Sequence, residues 1–388
     1  MTIYKQETEE MLKNLLDSTD PRLTRAFFSW AQNNPRYMQT FIHLIRTHYK
    51  TRKVRADCRA NGVIVPAFLI LSITSQCNLG CTGCFAAATG TLKSSDRVGG
   101  QLDYGQWKRI ITEASDLGVF FFVIAGGEPF MYPGLLDLCK SFKDRFFLII
   151  TNATAFRAED YECLKNISNV AIIASIEGDK SLTDSRRGNG TYDKVMSSLD
   201  HLRKIGVLTG ISVTITRTNY VYWMEEEHLD AFVNDNIRLI AFLEYIPLSA
   251  SSDEESSDHF LMLTEEEREE FRSRILDYRK RKQVYIIHSP GDEEFFGGCV
   301  SAGRGFAHVT PSGDLTPCPI SNIATHNLTK STLHEGLASP LFERIREDDR
   351  LLETEGMPCA LFAHPQEVDA LARSVGAYRT GYKGKHLP

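Results

Sequence analysis

The sequence predicts an α/β fold whose centre is a parallel sheet, and two patterns carry that prediction. Six short, almost continuous apolar runs recur between residues 67 and 246, as expected of parallel strands covered by helices on both faces. Helical periodicity fills the intervals, with capping residues at the starts and glycines at the stops. A third observation locates the chemistry. Cys77, Cys81 and Cys84 follow directly on the first apolar run, in TSQCNLGCTGCF at residues 74–85.

Residues 1–62 read as an N-terminal helical cap with no strand pattern. In NPRYMQTFIHLIRTHYK (34–50) Asn34 can cap, Pro35 suits the first turn, and Met38, Phe41, Ile42 and Ile45 share one face. RAFFSWAQ (25–32) reads as a short helix before it. The strand candidates are AFLILSIT (67–74), VFFFVIA (119–125), FFLIIT (146–151), VAIIASI (170–176), GISVTIT (210–216) and LIAFLEYI (239–246). Between the first two, Asp103 and Gln106 form a capping box; Trp107, Ile110, Ile111, Ala114 and Leu117 then share a face, and Gly118 stops the helix. Another helix starts at Thr191, repeats Val195, Met196, Leu199, Leu202 and Ile205, and stops at Gly206. The acidic run SASSDEESSD (249–258) has nothing to bury and reads as a mobile crossing. Thr264 and Glu267 open a further helix, acidic at its start and basic at residues 279–282, so that basic run matches the macrodipole as a solvated helix end. VYIIH (284–288) is one more strand.

With 388 residues the chain can bury a substantial core. Its 42% hydrophobic and 24% charged residues are those of a globular protein, and no apolar run reaches the ~20 residues of a membrane span. The N-terminal stretch lacks the features of a signal peptide, which places the chain in the cytoplasm as an expectation. A net charge of −6 argues against general nucleic-acid binding. Nine cysteines, an odd number, suit metal chemistry better than disulfides in that compartment.

Three thiolates on one short loop can hold an iron-sulfur cluster but cannot supply its fourth ligand, so one iron is left open. A structural zinc with a remote fourth ligand is the competing use of the same cysteines. The second apolar run ends in Gly126-Gly127-Glu128-Pro129. Paired glycines allow close backbone approach and Pro fixes the exit from the turn, neither of which a zinc knot requires.

The CxxxCxxC loop and the GGEP turn together resemble the radical SAM superfamily. The resemblance covers about residues 64–362 and implies a partial (β/α)6 TIM-like barrel with both motifs at the C-terminal ends of strands. It implies a [4Fe-4S] cluster on Cys77, Cys81 and Cys84, with S-adenosylmethionine (SAM) chelating the open iron and its amino group held by Gly126, Gly127, Glu128 and Pro129. Ser175-Ile176-Glu177-Gly178 resembles the family's SxDG pattern with Glu in place of Asp. Ser175 and one of the two following arginines, Arg187 in preference to Arg186, are then candidates for the rest of SAM, with the guanidinium pairing its carboxylate. Thr151-Asn152 and Thr214, at or near strand ends, could reach the ribose. Phe85 could pack beside the adenine; many members carry an aromatic before the last cysteine, where this chain has Gly83.

In GGCVSAGRGFAHVTPSGDLTPCPIS, Cys299 precedes a hairpin turning at Pro311-Ser312-Gly313, and Gly313 stands five residues before Cys318. This resembles the first half of a SPASM or twitch extension. Cys359 would be a third ligand of one auxiliary iron-sulfur cluster, with His364 a candidate fourth; the later cysteines of a full SPASM pattern are missing, which excludes a second auxiliary cluster. Cys58, Cys139 and Cys163 read as packing residues. The expected domains are the cap (1–62), the radical SAM core (63–250), a linker with helix and strand (251–290) and the SPASM/twitch-like extension (291–388). The implied function is reductive cleavage of SAM to a 5'-deoxyadenosyl radical that abstracts hydrogen from a small-molecule or peptide substrate, with flavodoxin or ferredoxin as electron donor. A non-catalytic iron-sulfur or zinc scaffold is the reading from another class.

Overall fold

The computed structural model describes residues 35–92, 100–248 and 259–380. The expected helix at 25–32, the cap residue Asn34 and the acidic crossing at 249–258 lie outside the described residues.

Seven strands follow one another in space as in sequence: β1 (Phe68–Thr74), β2 (Phe121–Gly126), β3 (Phe146–Thr151), β4 (Val170–Ser175), β5 (Leu208–Ile215), β6 (Leu239–Glu244) and β7 (Tyr285–Ser289). All are parallel. The six runs read from the sequence are thus β1 to β6, and the VYIIH segment extends the same sheet as β7. Burial explains their composition: every residue of Val170–Ser175 is buried, whereas β3 alternates, with Phe147 and Ile149 in the main core and Phe146, Leu148 and Ile150 half-buried on the other face.

The sheet continues at its other edge in a way the sequence did not disclose. β8 (Phe306–Val309) lies parallel to β1, pairing Phe68 with Phe306 through Leu71 with Val309. β9 (Asp314–Thr316) returns antiparallel to β8, and β11 (His326–Asn327) pairs antiparallel with β9. Among the described residues the sheet therefore has ten strands, β11-β9-β8-β1-β2-β3-β4-β5-β6-β7, while β10 (Ile323–Ala324) and β12 (Tyr378–Arg379) form a separate pair. The 306–316 hairpin is thus part of the same sheet as the strands of the core.

The helix Tyr104–Asp116 carries the expected Asp103–Gln106 capping box and buries Trp107, Ile110, Ile111 and Ala114. The Thr264–Glu267 box likewise opens the helix Glu265–Arg281. Its basic end is neutralised by carboxylates: Lys282 bonds Glu226 and Asp230, and Arg279 bonds Asp292. The first helix among the described residues, Pro35–Ala60, runs ten residues beyond the predicted end at Lys50. Tyr37 and Met38 pack with Phe146, Ala171 and Leu208, and His48 meets Phe120 edge-on. These partners stand at or just before the N-terminal ends of strands, so the helix covers the end of the sheet opposite the cysteine loop.

Candidate active site

The C-terminal ends of β1 to β6 meet around the cysteine loop, the end of a parallel sheet where sites are commonly built. The β1–β2 register shifts between Ser72 and Thr74, immediately before the loop. Gln101 Oε1 accepts from Thr74 Oγ1, Ser75 N and Ser75 Oγ at 3.0–3.2 Å, and so fastens the loop's start.

The GGEP turn lies directly against this start. Gly127 N donates to Thr74 O at 2.8 Å and Glu128 N to Gln76 O at 2.7 Å. A Cβ on Gly127 would stand 2.0 Å from Gln76 O, and one on Gly126, at φ +124°, would stand 2.6 Å from Thr74 O. The paired glycines are therefore required by the backbone of the cysteine loop, which approaches them too closely for any side chain.

Glu128 is fully buried and faces β3. Its carboxylate accepts from Phe130 N at 3.0 Å, Thr151 Oγ1 at 2.6 Å and Asn152 N at 2.7 Å. Burial pushes its pKa up while these donors pull it down. Asn152 carries the connection onward: its amide donates to Asn78 Oδ1 at 2.8 Å and lies 3.9 Å from Cys77 Sγ. Asn78 in turn donates to Thr154. Cys77, Glu128, Thr151 and Asn152 are thus one bonded unit joining the ends of β1, β2 and β3.

A second unit holds the far side of the loop. Thr82 N donates to Arg186 O, and Arg186 reaches Gly83 O. The Glu177 carboxylate, 2% exposed, takes both guanidinium groups on one oxygen, Arg186 at 2.6 Å and Arg187 at 2.6–2.7 Å. Its other oxygen accepts from Thr214 N at 3.2 Å. The Glu in this SxEG segment is long enough to hold both arginines beside the loop. Ser175 is buried at the end of β4, and Phe85 is half-exposed after the last cysteine. A Cβ on Gly83 would strike the Tyr245 ring at 2.6 Å, so Tyr245, just beyond the end of β6, packs directly against the loop at Gly83. Sequence reasoning passed over Gln101, Asn78 and Tyr245; position at the C-terminal ends of strands was the one signal available for Tyr245.

Burial raises the pKa of Cys77 and Cys81, and for Cys81 the nearby Arg187 and Arg186 oppose that rise. The donor set fits an iron-sulfur cluster: three soft sulfurs on one braced loop, with guanidinium groups to balance thiolate charge. Among the described residues no three His, Cys, Asp or Glu side chains converge as a site for a single ion would require. A cluster makes a different demand, since each thiolate binds its own iron.

The family model described as the radical SAM superfamily matches residues 71–231. These residues form a radical SAM domain. The chain is 22% identical over 311 residues to the AdoMet-dependent heme synthase of Methanosarcina barkeri, covering 74% of this chain and 86% of that protein. It is 26% identical over 303 residues to the mycofactocin maturase MftC of Mycobacterium tuberculosis, covering 74% of each. In fold it is similar to Streptococcus suis SuiB bound to its precursor peptide SuiA, with a TM-score of 0.62 at 20% identity over 80% of this chain and 74% of that one. No helix among the described residues is long and apolar enough to cross a membrane.

Beyond the radical SAM domain, Cys299, Cys318 and Cys359 are all buried. Burial and then the two other cysteines raise the pKa of Cys318; burial and then Cys299 push Cys359 up to about 12. The three thiols therefore lie within electrostatic reach of one another, although 60 residues separate the first from the last. His364 turns elsewhere, with Nε2 3.3 Å from Glu353 O and 3.9 Å from Glu355. Cys139 is fully buried in the main core, and Cys58 and Cys163 pack against it, as expected of structural cysteines.

Proposed function

We propose that this chain is a radical SAM enzyme of the SPASM/twitch branch and that its substrate is a peptide. The observation that carries the catalytic reading is the bracing of the cysteine loop between the GGEP turn and the Glu177-anchored arginines. In this reading Cys77, Cys81 and Cys84 would hold a [4Fe-4S] cluster beside SAM. Bound there, that pair would supply one-electron reductive cleavage of the sulfonium and hydrogen abstraction from substrate carbon. The chain's part is positional. The backbone of Gly126–Gly127 and the Asn78–Asn152 pair fix Cys77, Glu177 aims Arg187 at the SAM carboxylate, and Ser175 and Thr214 border the nucleoside. Phe85 and Tyr245 are the aromatic neighbours available to adenine.

The peptide reading is supported by likeness to a maturase over three quarters of both chains, and by a fold similar to that of a peptide-bound enzyme. A small-molecule substrate is the second reading, favoured by likeness to a heme synthase along most of that protein's length. We assign residues 63–250 to the catalytic core, 251–290 to the connection and 291–388 to an auxiliary unit in which Cys299, Cys318 and Cys359 hold a further cluster.

Anaerobically reconstituted protein given dithionite and SAM is expected to form 5'-deoxyadenosine; formation no faster than by Cys77→Ala would end the catalytic reading. Deuterium transfer into 5'-deoxyadenosine from a labelled peptide encoded beside the gene would establish the substrate class. Iron counts near eight per chain, against about four, would support the auxiliary cluster.

A further inference from the structure

The auxiliary cysteines have a fourth neighbour that their spacing does not announce. Glu293 begins a short 3-10 turn, Glu293–Phe296, that folds back on the first cysteine. Its backbone closes the turn, Glu293 N donating to Pro290 O at 2.7 Å and Gly298 N donating to Glu293 O at 3.1 Å. Gly298, at φ +96°, lies so close to the 348–353 segment that a Cβ would meet Leu352 O at 2.4 Å. Cys299 N donates to that same carbonyl at 2.9 Å. The turn is thereby pinned with the Glu293 side chain inside it.

That side chain is 9% exposed, accepts from Val300 N and faces the Cys299 thiol, which itself donates to Ser301 Oγ at 3.2 Å; it also lies within electrostatic reach of Cys359. Arg304 lies within electrostatic reach and pulls the carboxyl pKa down, while its guanidinium donates to the carbonyls of Cys299 and Phe296 and makes no direct ion pair with Glu293. Among the described ion pairs none closes on Glu293. Burial pushes the Glu293 pKa up to about 7, so a carboxylate there with no cation bonded to it is costly. Three buried thiols beside it, one short of a cluster's ligand set, define the cation that would compensate it.

We infer that the Glu293 carboxylate is the fourth ligand of the auxiliary iron-sulfur cluster, binding the iron that Cys299, Cys318 and Cys359 leave open. This rests on the auxiliary-cluster reading above and goes beyond it. It makes the second cluster fully protein-ligated, with mixed sulfur and oxygen donors, and leaves it no iron for direct binding of substrate. A cluster so held would be suited to passing electrons and not to holding the reacting molecule.

The test uses the full chain carrying Cys77→Ala, Cys81→Ala and Cys84→Ala, so that any cluster present is the auxiliary one. Reconstituted anaerobically, it is expected to hold about four irons. Absence of iron would overturn the auxiliary-cluster reading and this inference with it. With iron bound, the reduced cluster is examined by electron-nuclear double resonance in water enriched in the magnetic oxygen isotope. With Glu293 present no coupling to solvent oxygen is expected. In Glu293→Ala a water takes the vacated iron and the coupling appears; in Glu293→Cys it is again absent. Coupling with Glu293 in place, or silence in Glu293→Ala, would overturn the assignment while leaving the cluster reading intact. If Glu293→Ala fails to load iron, recovery in Glu293→Cys supports ligation, and failure of both overturns it.

Discussion

At Gly127 a single missing methyl group decides whether the cysteine loop can reach the turn that braces it. Alanine there would place a carbon 2.0 Å from Gln76 O, and both contacting groups are backbone, so neither can rotate away. Gly127→Ala is expected to cost about 2–4 kcal/mol and to lower iron content at Cys77, Cys81 and Cys84, measured by urea unfolding and by iron analysis of reconstituted protein. Normal iron content would mean that the loop does not depend on this approach. Glu177 is the electrostatic counterpart. Its carboxylate is shared by two guanidinium groups, all three side chains being largely buried. Removing one partner of a buried ion pair is more damaging than the pair is worth, because the remaining charges stay desolvated. Glu177→Gln is therefore expected to lose about 3–5 kcal/mol of stability and to weaken SAM binding through a misplaced Arg187, both read by calorimetry. The motif residues were legible because their types are restricted: glycine pairs, proline and closely spaced cysteines leave few readings. The double arginine anchor was not, because a Glu and two Arg nine and ten residues later read equally well as surface charge.

The seam between β1 and β8 turns on one buried imidazole. His308 Nδ1 lies 2.8 Å from Thr316 Oγ1 and Nε2 lies 2.8 Å from Ser72 Oγ, while Thr316 donates to Cys318 O at 3.1 Å. One side chain thereby ties β1, β8 and β9 together and reaches the backbone of an auxiliary cysteine. Burial lowers its pKa to about 3, so it is neutral in the fold. The unfolded chain binds a proton at this position between about pH 3 and the ordinary value near 6.5, and the native chain does not. His308 therefore makes stability rise with pH through that window, by about 1.4 kcal/mol per unit, and contributes nothing further above it. His48, lowered to about 4, acts in the same sense. Urea unfolding between pH 5 and 6.5 is expected to give a shallower slope for His308→Gln than for the unsubstituted chain; equal slopes would mean that His308 is protonated in the native state. Strands β1 to β6 could be read locally because each is a short, nearly continuous apolar run. The pairing of β8 with β1 could not, since it joins residues more than 230 positions apart and leaves no local periodicity to find.

Across the whole molecule, that pairing bears on whether the C-terminal third is a detachable module. Composition suggested a boundary, with an acidic run near residue 250 and a cysteine pattern beginning near 299. The sheet crosses it. β8 covers the edge of β1, and one core includes Leu69, Leu71 and Ile73 together with Val309, Leu315, Leu333, Leu337 and Phe342. Removing residues 291–388 would strip four residues of ladder from β1 and expose Leu69 and Leu71, both fully buried. An unprotected apolar edge strand templates association with other chains. The same β1 leads into the cysteine loop, so its register also positions Cys77. A chain ended at residue 290 is therefore expected to be insoluble or, where recovered, to hold far less iron than the full chain, although it keeps Cys77, Cys81 and Cys84. Soluble yield and iron per chain read the outcome. A truncated protein that loads a full SAM-binding cluster and remains monomeric would mean that the shared strand is dispensable to the site, and that the extension only abuts a core able to stand without it.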